Sequence, residues 1–247
     1  MNIAVILAGG VGSRFGADRP KQFVEVLGKP VLAYTVELYQ KHPQIDMVEI
    51  VCHCQWVEYT KRMVRDYGFS KVRWIVIGGE TFQDSVLNGV NHLRKNLITA
   101  GGKLLGTDLI FLHYGAAPFT SKRIIDDCIK TTTEKGNAFT ATPLYQLLGS
   151  NDENRESHSW VDRDKIVQIA CPYGFRFDYL ISLYDRAEEQ GLLEKTEPHT
   201  TSLVFALGDI LYQSYGDQTN IKITTQEDIE LFEGYIRMKQ KRDENTL

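Results

Sequence analysis

The chain has 247 residues, of which 43% are hydrophobic and 24% are charged, and its formal net charge is −4. This length allows one large domain with a complete core, and no linker-like segment divides it, so we predict a single domain over residues 1–247. The weak negative charge gives no electrostatic reason to expect a nucleic-acid partner. No apolar run approaches the roughly 20 residues that span a bilayer, so no membrane partner is expected.

Short apolar runs alternate with helical patterns along the chain, which is typical of a parallel sheet with crossover helices. The predicted strands are residues 3–7, 47–52, 73–77, 108–113, 138–143 and 220–224. The predicted helices are residues 30–41, 56–67, 81–95, 122–135, 177–190 and 226–241, and Ser121 and Thr225 are the predicted N-caps of the fourth and the last. The pattern predicts a three-layer α/β fold with a mainly parallel sheet.

Residues 144–170 interrupt this alternation, because they are polar and irregular. A polar insert of this length inside a compact domain is either a functional loop or a protruding arm. We predict an arm that leaves the globular body.

The cysteines indicate a cytoplasmic protein. Four cysteines scattered over the chain are too few for a disulfide scaffold. Cys52, His53 and Cys54 look like half of a metal site, but strand alternation places the two thiols on one face and the imidazole on the other. We interpret the cysteines as small buried residues in a reducing compartment. The N-terminal segment is read as a buried strand and not as a signal peptide, because it lacks a basic region.

A glycine-rich loop follows the first strand directly, over residues 7–16. Glycines let the backbone approach a ligand closely and turn successive N–H groups toward an anion. In open α/β folds, the carboxyl end of a strand is where ligands bind. The loop lacks the ending of a P-loop and the spacing of a dinucleotide fingerprint, which disfavours a dehydrogenase. Taken alone, it is also compatible with a plain strand-to-helix connection.

Two cations follow within this region, Arg14 and Lys21. Two cations beside a ring of amide donors suit a triphosphate, because they neutralise the charge that builds up toward a leaving pyrophosphate. On charge alone, two solvated surface residues are the better explanation. The combination with the glycine loop favours the phosphate site.

The string from Ala8 to Gly16, followed by Pro20-Lys21-Gln22-Phe23, resembles the signature of the polyol-phosphate cytidylyltransferases, the ribitol phosphate and methylerythritol phosphate enzymes. Further segments resemble that family in the same order: Gly78-Gly79-Glu80 with Ser85 after it, Val161-Asp162-Arg163, and Asn220-Ile221-Lys222-Ile223-Thr224. The resemblance implies a Rossmann-like nucleotide-diphospho-sugar transferase fold and an activity that transfers CMP from CTP to a polyol or sugar phosphate. Several segments look more like the ribitol phosphate branch.

The resemblance also implies site residues. Arg14, Lys21 and Lys222 are expected to grip the triphosphate and to act in catalysis. The expected nucleotide-binding residues are Ala8, Gly9, Gly10, Gly12, Gly78, Gly79, Glu80 and Ser85. Arg163 is expected to hold the acceptor phosphate. The family usually adds Mg²⁺, for which Asp217 is the expected ligand. The arm at 144–170 is expected to form a homodimer.

Three positions depart from the family pattern. Tyr114 stands where the family has a metal-binding aspartate, Ala117 where it has an arginine, and Phe82 where it has another arginine. Two hypotheses therefore stay open: a working cytidylyltransferase, of either branch, with an altered site, and a nucleotide-binding homologue that has lost catalysis. If the missing carboxylate and guanidinium are true losses, the double replacement Tyr114→Asp with Ala117→Arg is expected to raise activity. Neighbouring His113 is more typical of a structural donor than of a metal ligand.

Overall fold

A computed structural model describes residues 1–10, 19–99 and 105–244. Its strands are β1 (Asn2–Ala8), β2 (Glu25–Val26), β3 (Lys29–Pro30), β4 (Met47–Cys52), β5 (Val72–Ile77), β6 (Leu109–Tyr114), β7 (Asn137–Pro143), β8 (Leu148–Gly149), β9 (Trp160–Val161), β10 (Val167–Arg176) and β11 (Gln213–Tyr215). Its α-helices are α1 (Val31–Lys41), α2 (Val57–Asp66), α3 (Phe82–Thr99), α4 (Lys122–Lys135), α5 (Phe177–Glu189), α6 (Thr200–Ala206) and α7 (Gln226–Glu244). Among these helices, none is both long and apolar enough to cross a lipid bilayer.

Seven strands form the central sheet in the order β11-β7-β10-β6-β1-β4-β5. β1 pairs in parallel with β4 and β6, β4 with β5, and β7 with β11, whereas β10 is antiparallel to both of its neighbours. The prediction of a mainly parallel sheet is confirmed. The loop that begins at Gly9 leaves the carboxyl end of β1, as predicted.

Helices cover both faces of the sheet, and β1 shows why. Ile3, Val5 and Leu7 point into one core, which α3, α5 and α6 complete. The alternate residues Ala4 and Ile6 point into the other core, which α1, α2 and α4 complete. A strand buried on both faces reads as a continuous apolar run, and that run was the sequence signal. The three-layer prediction is confirmed.

One predicted strand is wrong, and several elements were not predicted, among them the sheet strands β10 and β11 and the helix α6. Residues 220–224 form no strand; in this segment Ile223 donates one backbone hydrogen bond to the carbonyl of Ala116, at 2.8 Å, outside the sheet. β10 was missed because it contains Pro172, which argues against a central strand. The register of β10 against β7 shifts between Ala170 and Tyr173, so the proline falls where the ladder is interrupted. The short helix α6 was also missed.

The arm is shorter than predicted. Residues 167–170 belong to β10 and pair with the end of β7, Val167 lying opposite Pro143. The segment between these two strands carries its own small hairpin, in which β8 pairs with β9. The segment predicted to be an arm is therefore 144–166, and the strands β7 and β10 form its base.

A buried carboxyl group lies under α3. Glu49 on β4 is 0% exposed, and its Oε2 lies 2.7 Å from Nδ1 of His92. Its Oε1 has no hydrogen-bond partner. Because burial disfavours the charged form, the pKa of Glu49 is raised to about 9. The folded protein therefore holds this carboxyl group protonated at neutral pH.

Candidate active site

A cleft of about 340 Å³ opens at the carboxyl edge of the sheet, above the ends of β1 and β6. Its lining comes from the glycine loop, from the turn before α3, from the end of β6 and from the segment before α7. The predicted site residues that line it are Ala8, Gly9, Gly10, Lys21, Gly79, Glu80, Ser85 and Lys222. Gly12 and Arg14 lie outside the described residues, and Gly78 lies just behind the lining.

Gln22 anchors the glycine loop. Its side chain is 3% exposed, and its amide Nε2 donates to the carbonyl oxygens of Ala8 and Gly10, both at 2.8 Å. One amide group thus fixes the chain on both sides of Gly9. Sequence reasoning quoted Gln22 only as part of a motif, because the motif does not show which backbone atoms a buried amide will bind.

Replacing Gln22 by Glu is expected to weaken CTP binding by about tenfold or more. The change keeps the size of the side chain but points carboxylate oxygens at two carbonyl oxygens, which leaves buried acceptors unpaired at about 1–3 kcal/mol. Isothermal titration calorimetry with CTP measures the loss, and Gln55→Glu on the exposed turn before α2 is the control. Wild-type affinity in a folded Gln22→Glu protein would show that the anchor does not matter.

The turn before α3 is tightly built. Thr81 and Asp84 cap the helix reciprocally, each side chain accepting from the other's backbone N–H at 3.0–3.1 Å. Gly79 lies so close to Asp84 that a Cβ added to the glycine would be 2.1 Å from Cβ of Asp84. Ser85 accepts a hydrogen bond from the N–H of Gly79 at 3.1 Å. Ser85 therefore also holds this turn in place, in addition to its predicted role in nucleotide binding.

Lys21 and Lys222 line the same cleft although 200 residues separate them in sequence. The segment that carries Lys222 is fixed to β10 and to the loop before α4 through Asn220. Its amide donates to the carbonyl of Cys171 at 2.8 Å, and its oxygen accepts from the hydroxyl of Thr120 at 2.7 Å. The two cations and the glycine loop together make a positively charged cradle.

An aromatic group lies beside this cradle. The ammonium of Lys222 is 3.7 Å from the ring centroid of Tyr114. The hydroxyl of Tyr173 donates to the hydroxyl of Tyr114 at 3.2 Å, and that hydroxyl lies 3.3 Å from Nδ1 of His199. Phe82 packs on both Tyr114 and His199, with ring centroids 5.5 and 5.0 Å away. In the sequence, Tyr114 and Phe82 stood out only as departures from the family pattern.

The three positions that depart from the family pattern have different surroundings in the structure. Tyr114 and Phe82 line the cleft, but Ala117 is 1% exposed and belongs to a hydrophobic core. His113 is structural, as expected: both ring nitrogens lie 3.0 Å from oxygens of neighbouring residues, Tyr114 and Thr120. Burial lowers the pKa of His113 to about 3, so it stays neutral.

Besides Gly78, two predicted site residues in the described part of the chain do not line the cleft. Arg163 is exposed on the arm, where its guanidinium donates to the carbonyl of Tyr145. Asp217 follows β11, and its Oδ1 accepts from the backbone and the hydroxyl of Thr219 at 3.0 and 2.6 Å. Its Oδ2 accepts one long bond, from Tyr215 at 3.5 Å. Oδ2 of Asp217 therefore keeps the capacity to accept from or bind a further partner.

Comparisons with known proteins agree with this geometry. The sequence model of the family described as IspD, 2-C-methyl-D-erythritol 4-phosphate cytidylyltransferase, matches residues 2–238. The ribitol-5-phosphate cytidylyltransferase of Lacticaseibacillus paracasei is 33% identical over 97% of this chain and 100% of its own length. The 2-C-methyl-D-erythritol 4-phosphate cytidylyltransferase of Clostridium acetobutylicum is 31% identical over 93% of this chain and 94% of its own.

Solved structures show the same fold. The 4-diphosphocytidyl-2C-methyl-D-erythritol synthase of Anaerococcus prevotii superposes with a TM-score of 0.77, at 23% identity, over 96% of this chain and 98% of that one. The glycine loop, the paired lysines and the match along nearly the whole chain point to one conclusion. This chain belongs to the family of 2-C-methyl-D-erythritol 4-phosphate and ribitol-5-phosphate cytidylyltransferases.

Proposed function

We infer that this chain transfers CMP from CTP to a polyol phosphate and releases pyrophosphate, with an acceptor that resembles ribitol 5-phosphate. The observation that carries this inference is the convergence of Lys21 and Lys222 on a glycine loop at the carboxyl edge of the sheet. The 33% identity to a ribitol-5-phosphate cytidylyltransferase, which extends over the full length of that enzyme, supports the acceptor class.

The chemistry requires positioning and charge neutralisation. A phosphate oxygen of the acceptor forms a bond to the α-phosphorus of CTP, and the bond from that phosphorus to the pyrophosphate oxygen breaks. Lys21 and Lys222 neutralise the charge that moves onto the pyrophosphate, and Arg14 is proposed to assist them. The loop amides around Gly9, which Gln22 holds in place, bind the phosphates. Mg²⁺ bound at Asp217 would add a Lewis acid to this set.

Pyrophosphate release from CTP tests the function directly. With ribitol 5-phosphate as acceptor we expect turnover well above that with 2-C-methyl-D-erythritol 4-phosphate. The reverse preference would assign the chain to the other branch. CTP binding without pyrophosphate release from any polyol phosphate would instead favour a nucleotide-binding homologue that has lost catalysis.

Lys21→Ala is expected to weaken CTP binding by about tenfold or more, because a charge-assisted contact to phosphate is worth roughly 1.5–3 kcal/mol. Calorimetric titration with CTP measures the change. Lys61→Ala, on the exposed face of α2, is the matched control and is expected to bind like wild type. Unchanged affinity in a folded Lys21→Ala protein would falsify the assignment.

We propose that the arm, residues 144–166, packs on a second copy of the chain. Tyr145, Leu147 and Trp160 on the arm are 68%, 76% and 68% exposed. Large apolar side chains exposed together mark an interaction surface. Because Arg163 lies on the same arm and outside the lining of its own cleft, we propose that it serves the partner's acceptor site.

Mixing two inactive variants tests this arrangement. Lys21→Ala and Arg163→Ala are each expected to be nearly inactive as pure proteins. A two-fold dimer formed from one of each restores one complete site, so equal mixing after reversible dissociation is expected to recover about a quarter of wild-type activity. No recovery, or a monomer by light scattering at micromolar concentration, would contradict the proposal.

We also propose that the protein works in the cytoplasm. All four cysteines are free thiols, and Cys52, Cys128 and Cys171 are buried. Such thiols persist in a reducing compartment. Fractionation of the producing cells tests this location.

A further inference from the structure

Lys222 has an unusual neighbour for a residue proposed to bind phosphate. Its ammonium group lies over the ring of Tyr114, 3.7 Å from the centroid, and both residues line the cleft. A cation over the face of an aromatic ring is attracted by the negative potential of that face. The contact therefore restrains the ammonium within the cleft even before a ligand arrives.

The ring itself is held by groups from several elements. Tyr173 on β10 donates a hydrogen bond to the hydroxyl of Tyr114. The same hydroxyl lies 3.3 Å from Nδ1 of His199. Phe82 at the start of α3 packs on the ring at a centroid distance of 5.5 Å. Burial raises the pKa of Tyr114 to about 12, so the phenol keeps its proton and the ring stays neutral near pH 7.

We propose that Tyr114 is the positioning residue for Lys222: its ring face holds the ammonium in the cleft and gives it up to the triphosphate of CTP. This inference rests on the proposed function. A carboxylate beside Lys222 would form an ion pair and compete with phosphate for the ammonium. A neutral ring restrains the ammonium without neutralising it. A tyrosine at position 114, in place of a carboxylate, is then another way to position Lys222 for the triphosphate.

A double-mutant cycle tests the coupling of the two residues. Tyr114→Met removes the ring at similar bulk and is expected to weaken CTP binding by about three- to tenfold. Tyr114→Phe keeps the ring but loses both hydroxyl contacts, so its loss is expected to fall between wild type and Tyr114→Met. In a Lys222→Ala background, Tyr114→Met is expected to cause no further loss. Equal effects of Tyr114→Met in both backgrounds would overturn the proposal, because a general structural role acts without Lys222.

Two further variants keep the test decisive. Tyr212 lies on a different surface, where the ammonium of Lys135 is 5.7 Å from its ring centroid. Tyr212→Met removes this ring and is expected to leave CTP affinity unchanged. If Tyr114→Met does not fold, Tyr173→Phe decides: it removes the donor that orients Tyr114 and is expected to weaken CTP binding about twofold, again only while Lys222 is present. Equal CTP affinity of Tyr173→Phe and wild type would then overturn the proposal. Failure of the wild-type protein to bind CTP would contradict the proposed function instead.

Discussion

The double replacement Tyr114→Asp with Ala117→Arg is expected to give a protein that fails to fold, instead of the more active enzyme that the family pattern suggests. Ala117 is 1% exposed and lies in the core that α3, α5 and α6 complete, so an arginine there overpacks this core and buries a charge. Overpacking costs roughly 1–3 kcal/mol and an unpaired buried charge about 3–5 kcal/mol more. That sum is a large part of the stability of an ordinary domain.

Thermal denaturation of the two single variants locates the damage. Ala117→Arg alone is expected to show no cooperative transition, or one far below that of wild type. Tyr114→Asp alone is expected to fold, since Tyr114 is only partly buried and lines the cleft at the edge of the core. A melting temperature of Ala117→Arg within a few degrees of wild type would mean that the core opens here, and the sequence-based expectation of restored activity would stand again.

Glu49→Gln is expected to remove a loss of stability that the wild-type protein suffers as the pH rises. The pKa of Glu49 is raised from 4.5 to about 9 by burial, so the unfolded chain releases this proton at a lower pH than the folded one. Stability from this group is complete below pH 4.5, falls as the pH rises, and is lost once the folded carboxyl ionises near pH 9. The loss at pH 9 is expected to be on the order of several kcal/mol.

Melting temperatures between pH 7 and 9 measure this effect. Burial lowers the pKa of the neighbouring His92, so stability gained from that ring on raising the pH is complete near pH 6.5, below the window. The wild-type melting temperature is expected to fall through the window by roughly 10 °C more than that of Glu49→Gln. Glu134→Gln, exposed on α4, is the control and should follow wild type. Parallel curves for Glu49→Gln and wild type would show that Glu49 is already ionised at pH 7.

Hydrophobic periodicity and capping residues predicted those strands and helices that depend on neighbouring residues in the sequence. The strands buried on both faces and the helix α4, capped by Ser121 and ended by Gly136, follow from periodicity and capping. The Asn220–Thr224 segment misled, because its alternating apolar residues pack against α7 and not in the sheet. β10 was hidden by its proline. In the site, the motifs predicted that Lys21 and Lys222 line the same cleft. They did not predict the hydrogen bonds of Gln22 or the ring beneath Lys222, because these contacts join chain segments that are far apart in sequence.

The strand β10 belongs both to the arm and to the middle of the sheet. Its first residues pair with β7 at the base of the arm, and a few positions later it carries Tyr173, whose hydroxyl touches Tyr114. One strand thus connects the base of the arm to the residue beneath Lys222, across the interruption of its ladder between Ala170 and Tyr173. If the arm packs on a second copy, as proposed above, that contact and the cleft are joined through this single strand.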